Sequence, residues 1–253
     1  MNTIQIKYNE NYAIVQLDRG TSNPINLEML YDLQKAFKEL QENQDIKGVM
    51  LTGKTNFFSA GLDVIELYGY DKETIETLFV ELFNTLKALL SFNKPLVSAI
   101  TGHSPAGGCV LAICSDYRVM ANGKYRIGLN EIPVGIIMPN FIYQIYAYWL
   151  GGGRASQYIL EGKLLLAEEA LKAGVVDEVV DAEKVEEQAL AQLQKYMQFS
   201  ANTWQQSKAN MRKDLLAHYQ TLDRKQLDVL LAQWWSNDTR TVLGGLVAKL
   251  TGR

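Results

Sequence analysis

Three segments hold the residues whose types and spacing point to chemistry: FFSAGLDV at 57–64, TGHSPAGGC at 101–109 and IGLNEIPVGIIMP at 127–139. In the second, the pair Gly107–Gly108 precedes a wholly apolar stretch from Cys109 to Ile113. That stretch reads as a short buried helix, and Pro105 sits where proline is tolerated at a helix start. Two glycines there leave the first N–H groups uncovered, and bare amides at a helix start attract an anion or a developing oxyanion. The same glycines also suit close helix packing, so both readings stand on this segment alone. In the first segment, Ser59-Ala60-Gly61 is small and flexible, with Ser59 or Gly61 near the cap of a helix that starts at Leu62. A bare amide at Leu62 could converge with that of Gly107. The third segment holds Glu131, the only acidic residue between Asp116 and Glu161, flanked by Ile127, Leu129, Ile132 and Val134. An acid in such company is either a loop residue that reaches water or a partly desolvated carboxyl with a raised pKa, suited to carrying protons.

These segments need elements to hold them. Ile4, Ile6 and Tyr8, then Ala13, Val15 and Leu17, alternate around a turn at 9–11 and predict a β-hairpin. Residues 19–26 are turn-formers. Leu27, Leu30, Leu33, Phe37 and Leu40 recur at helical spacing, as do Ile75, Leu78, Leu82, Leu86 and Leu89. Apolar runs at 47–52 and 96–100 read as buried strands, with further strands at 116–120 and 175–180. This alternation predicts an α/β core with crossover connections. Two small-residue loops that follow parallel strands fit the rule that sites form at strand carboxyl ends. From about 184 the pattern is helical, with breaks at 198–201 and 237–238.

Composition narrows the class. The 253 residues include 25 Lys plus Arg and 28 Asp plus Glu, a net charge of −3, with 47% hydrophobic and 21% charged residues. This excludes a disordered chain, a collagen-like repeat and a strongly basic nucleic-acid binder. The two cysteines, Cys109 and Cys114, have no metal-ligand spacing and read as reduced core residues, so no metal site is expected. The N-terminus lacks a signal-peptide core, no apolar stretch is long enough to span a bilayer, and the expected location is cytoplasmic. Residues 200–253 carry eight basic and four acidic residues. A solvated helical face accounts for that excess, and a modest anion contact is the sharper alternative.

Taken in order, six pieces resemble the crotonase superfamily, also called the enoyl-CoA hydratase/isomerase family. SNPIN at 22–26 is similar to the family's N-A-L-N, and FFSAGLD to its F-x-A-G-x-D. GHSPAGG, SDYRVMA at 115–121 and GLNEIPVGI follow, and EALKAGVVDEVV at 169–180 is similar to E-A-x-x-x-G-L-V-D-x-V. The resemblance implies an α/β crotonase-like (ClpP/crotonase) fold: repeated ββα units forming two near-perpendicular sheets, then a helical C-terminal region. It divides the chain into a core with the active site at 1–199 and a trimerisation region at 200–253, giving a homotrimer or a hexamer of two trimers. It implies an acyl-CoA thioester substrate, coenzyme A being part of that substrate and no separate cofactor being needed. The thioester oxygen would take the N–H groups of Leu62 and Gly107. Asn23, Ile25, Ala60, Leu62 and Asp63 would meet adenine and pantetheine. Lys208, Arg212 and Lys213 would reach the CoA phosphates of this subunit or a neighbouring one.

Departures within the family are informative. Hydratases use two glutamates to hold a water. The first follows Gly-Gly-Cys, where this chain has Val110; the second is Glu131. The hydratases' G-x-x-P-G-x-G-G run reads GIIMPNF here. Both departures are similar to the Δ3-Δ2-enoyl-CoA isomerases, particularly the mitochondrial monofunctional type, which use one glutamate. The implied activity is a shift of the double bond of a 3-enoyl-CoA to the 2-trans position, in fatty acid β-oxidation-type metabolism, with Glu131 as the acid/base in a pocket dried by Ile65, Val110 and Ile136. The alternatives are a hydratase, another single-acid thioester enzyme such as a decarboxylase or hydrolase, or a non-catalytic acyl-CoA-binding oligomer.

Overall fold

The computed structural model describes residues 1–220 and 224–252. Arg253 of the basic tail lies outside the described residues. The chain opens with the expected hairpin, β1 (Ile4–Tyr8) and β2 (Tyr12–Leu17), paired antiparallel with Ile6 opposite Val15. Helix α1 (Leu27–Glu42) leads to β3 (Gly48–Thr52), β4 (Asn56–Phe57), α2 (Val64–Tyr68) and α3 (Lys72–Ser91). Next come β5 (Leu96–Ile100), β6 (Gly102–Pro105), α4 (Gly107–Ile113), β7 (Tyr117–Ala121) and β8 (Arg126–Gly128). After α5 (Asn140–Leu150), α6 (Gly152–Glu161), β9 (Leu165–Leu166), α7 (Ala167–Ala173) and β10 (Glu178–Val180), the chain is helical: α8 (Val185–Met197), α9 (Ala201–Gln220), α10 (Arg224–Trp234) and α11 (Asn237–Thr251).

Two sheets result. The larger runs β1-β2-β3-β5-β7-β10, and the smaller β4-β6-β8-β9. Strands β3 and β5 are buried along their whole length, which explains why they read as continuous apolar runs. Their alternate side chains serve two cores. Val49 and Leu51 face α1 and α3, whereas Met50, Val97 and Ala99 pack with Val185, Ala189 and Leu193 of α8. The large sheet is therefore a middle layer, and its parallel β3 and β5 carry both small-residue loops out at the same end.

Three local expectations need correction. Pro105 does not open α4; it ends β6, opposite Gly128 of β8. Helix α2 starts at Val64, not at Leu62, and its cap is Asp63, whose carboxylate accepts the Glu66 N–H at 3.0 Å, not Ser59 or Gly61. The second late break falls at 235–236, where Ser236 caps α11 by accepting from the Thr239 N–H.

Candidate active site

The 59–63 loop is locked by its own polar groups. Buried Ser59 donates its hydroxyl to Asn23 O at 2.7 Å and accepts from Gly61 N–H at 3.2 Å. A parallel bridge then ties this loop to Ile25: Ile25 N–H donates to Gly61 O and Asp63 N–H to Ile25 O, both at 2.8 Å. That pattern skips the Leu62 amide, which donates no backbone hydrogen bond among the described residues. Gly107 is the first residue of α4, where an N–H has no intrahelical acceptor. The two loops touch at their glycines. A Cβ placed on Gly107 would stand 3.5 Å from Leu62 N, and one on Gly61 would stand 3.2 Å from Gly107 N. The two bare amides therefore occupy the same small region. Closeness of this kind needs a third glycine: a Cβ on Gly108 would lie 2.4 Å from Ser59 O. Gly108→Ala is expected to cost about 1–3 kcal/mol by overpacking and to lower the thermal midpoint; an unchanged midpoint would contradict the contact.

Glu131 follows β8 and starts a single 3-10 turn, Ile132–Val134. Its carbonyl accepts the N–H groups of Val134 and Ile136 at 3.1 and 3.0 Å, and Gly135 closes the turn at φ 79°. Thr239 of α11 donates to Gly135 O at 2.7 Å and pins the turn from outside. The Glu131 side chain is buried (8% exposed), and its Oε2 has no hydrogen-bond partner. Burial raises its pKa from an ordinary 4.5 to about 7. The consequence for stability has a definite sign. Between about 4.5 and 7 the folded chain keeps a proton that the unfolded chain has lost. Stability therefore falls as pH rises through that window, by roughly 3 kcal/mol at full extent.

Glu131, Leu62 and Gly107 line one cavity of about 400 Å³, with Ala60, Asp63, Ile65, Val110 and Ile136. The sequence-based set is thus brought together in its main part: Leu62, Gly107, Glu131, Ala60 and Asp63. Five residues are not, Lys213 being exposed on α9 and absent from the cavity lining. Asn23 and Ile25 are fully buried, and it is Ser22 and Pro24 that face the cavity. The Asn23 carboxamide is spent inside, donating to Phe58 O and accepting from Arg19 N–H, both at 3.0 Å. Asn23 and Ile25 hold the loops in shape and present no surface to the cavity. Lys208 and Arg212, expected at CoA phosphates, are each only 4% exposed. Lys208 Nζ bonds Asp116 at 2.7 Å and Lys94 O at 3.1 Å. Arg212 donates to Cys114 O, Ser115 O and Asp116 at 2.7, 3.0 and 3.0 Å. Their charge is used within the fold, where Arg212 caps the carbonyl end of α4. Asp116 is the anion they share, and it also accepts the Leu96 N–H.

Sequence reasoning missed several wall residues: Phe79 and Leu82 of α3, Pro105 and Ala106, and Leu246 and Leu250 of α11. The cavity is thus not confined to residues 1–199. The i,i+4 leucine pair on α11 was visible, but nothing in the sequence says which loop that face covers. Asp63 has a further task, since its carboxylate pairs with Arg19 at 2.6 Å. His103 is structural: its Nδ1 accepts from Arg126 N–H at 3.2 Å and its ring packs against Phe57 and Tyr125. Both cysteines are buried and free of disulfide bonds. No described helix is long and apolar enough to cross a membrane.

Two amides and a buried carboxyl at the carboxyl ends of parallel strands, on this two-sheet scaffold, define a class. Residues 7–241 match the enoyl-CoA hydratase/isomerase family, and the chain belongs to it. The chain is similar to mitochondrial enoyl-CoA delta isomerase 1 of Mus musculus, with 39% identity over 203 residues, covering 79% of this chain and 70% of that protein. The Homo sapiens counterpart is 34% identical over 210 residues, covering 79% of this chain and 67% of that protein. The crystal structure of human mitochondrial delta3-delta2-enoyl-CoA isomerase superimposes with a TM-score of 0.95 at 29% identity, covering 99% of this chain and 98% of that one. The fold is the crotonase fold, a mixed α/β architecture with two sheets and a helical C-terminal region.

Proposed function

We propose that this protein moves the double bond of a 3-enoyl-CoA thioester to the 2-trans position, with Glu131 as the sole acid/base. The observation that carries this reading is the buried carboxyl of Glu131, whose Oε2 has no hydrogen-bond partner, lining the same cavity as the Leu62 and Gly107 amides. A proton on C2 of the thioester is weakly acidic until negative charge on the carbonyl oxygen is stabilised. The Leu62 and Gly107 N–H groups supply that stabilisation, each donor being worth roughly 2.7–4 kcal/mol. The Glu131 carboxylate takes the C2 proton, and the C2–H pair becomes the dienolate. The protonated Glu131 then gives the proton to C4, the double bond settles between C2 and C3, and the carboxylate is regenerated. The similarity to relatives named as delta isomerases supports the same reading.

Hydration is disfavoured by the residue that lines the cavity at position 110. Adding water to a 2-enoyl thioester needs a group that orients and deprotonates the water, and the buried Val110 side chain has none. The test is parallel incubation with trans-3-hexenoyl-CoA and crotonyl-CoA. Appearance of the conjugated 2-enoyl thioester from the first is expected. Formation of 3-hydroxybutyryl-CoA from the second at a comparable rate would contradict the assignment.

The pH profile follows from Glu131. Abstraction at C2 needs the carboxylate, so kcat/KM is expected to rise with pH and level off above about 7. Measurement between pH 5 and pH 9 on trans-3-hexenoyl-CoA checks this; a limb that falls through the same range would contradict carboxylate-first chemistry.

A further inference from the structure

Ala106 has φ 48° and ψ −122°, a backbone conformation that glycine adopts freely and other residues rarely do. Asn23 and Asn56 also have positive φ, but asparagine tolerates it. Ala106 has no polar side chain to compensate, and it stands immediately before the Gly107 amide. Its ψ fixes the plane of the peptide that ends in Gly107 N. At an ordinary helical ψ near −42° that plane would turn by about 80° and swing the N–H away.

The conformation is held from three sides. Ala106 N–H donates to Gly128 O at 2.8 Å, just upstream of Glu131. Ala106 O accepts the Val110 N–H at 3.0 Å within α4. The methyl group faces Gly61, on which a Cβ would stand 3.1 Å from Ala106 Cβ. The absent side chain of Gly61 is the seat in which the Ala106 methyl rests. Strain kept in place by surrounding contacts, beside a reacting group, marks a backbone held for function.

We propose that Ala106 is a positioning residue: its methyl, seated on Gly61, prevents the 106–107 peptide from turning and so keeps the Gly107 amide aimed into the cavity with that of Leu62. This rests on the reading of those two amides as the thioester-oxygen site. Glycine at 106 relieves the strain but frees the peptide. Ala106→Gly is therefore expected to fold with an equal or higher thermal midpoint, yet to lose at least about tenfold in kcat on trans-3-hexenoyl-CoA with little change in KM. Ala106→Ser, which keeps a Cβ in the seat, is expected to retain most of the activity.

A second readout is independent of turnover. In isotope-edited infrared spectra of bound [1-¹³C]hexanoyl-CoA, hydrogen bonds to the thioester oxygen lower the carbonyl frequency. The expected result is a lowered band in wild type and Ala106→Ser, moved back toward its position in water in Ala106→Gly. An Ala106→Gly variant with unchanged kcat and band overturns the proposal, as does an Ala106→Ser variant that loses both. A wild type with a lowered band but no isomerisation overturns the catalytic reading and leaves Ala106 to be judged on the band. A wild-type band that does not move overturns both.

Discussion

Glu131→Gln leaves the acyl-CoA bound and the double bond where it was. The substitution keeps the side chain's size and removes only its ability to take and return a proton. Turnover of trans-3-hexenoyl-CoA is expected to fall by about 10²–10⁴-fold, the contribution of a positioned acid/base, while affinity for the thioester changes little because both amides remain. The loss cannot be blamed on folding, because the sign of the stability effect is opposite. Burial disfavours the Glu131 anion, so above pH 7 the neutral amide is expected to leave the protein as stable as wild type or more so. Steady-state kinetics and a thermal melt near pH 8 together check this. A Gln variant with near-wild-type kcat removes Glu131 from the role.

The largest stability effect is expected at Arg212, far from the reacting atoms. Its guanidinium bridges the Cys114 and Ser115 carbonyls, just past the end of α4, and the Asp116 carboxylate, inside a buried cluster with Lys208. Arg212→Ala strips two carbonyls of their donor and leaves Asp116 with one cation. Truncating one member of a buried charge cluster typically costs about 3–5 kcal/mol. The denaturant midpoint is expected to fall accordingly, and Arg212→Lys to rescue only part of it, because an ammonium lacks the planar fork. An Arg212→Ala variant as stable as wild type would show that the cluster contributes nothing net. Salt distinguishes this role from binding of CoA phosphates: a buried cluster is weakly screened, so the stability loss persists at high ionic strength.

The contrast between Glu131 and Arg212 shows what the chain made legible. The opening hairpin, α1 and α3 follow from apolar period, because each buries a face that the pattern marks, and β3 and β5 follow from unbroken apolar runs, because both of their faces are buried. Glu131 stood out because it is isolated in an apolar run, and Gly107 because a glycine pair before a buried stretch is unusual. The smaller sheet was not legible: β4, β6, β8 and β9 are two to four residues long, too short for any period, and exist because loops of successive units lie side by side. Arg212 and Lys208 misled for a physical reason. A basic side chain on a helix of low amphipathicity looks the same in sequence whether it meets solvent, a phosphate or a half-buried aspartate 92–96 residues upstream. Asn23 and Ile25 misled by one position, since the chain turns through a left-handed Asn23 at φ 50° and Ser22 and Pro24 take the cavity side.

The most direct test of a single carboxyl moving hydrogen along the chain is the fate of that hydrogen. Trans-3-hexenoyl-CoA carrying deuterium at C2 is turned over in ordinary water, and the early product is analysed by NMR and mass spectrometry. A buried Glu131 in an apolar cavity predicts that part of the deuterium taken from C2 is delivered to C4 of the 2-enoyl product. Complete replacement by solvent hydrogen at C4 from the first turnovers would contradict it.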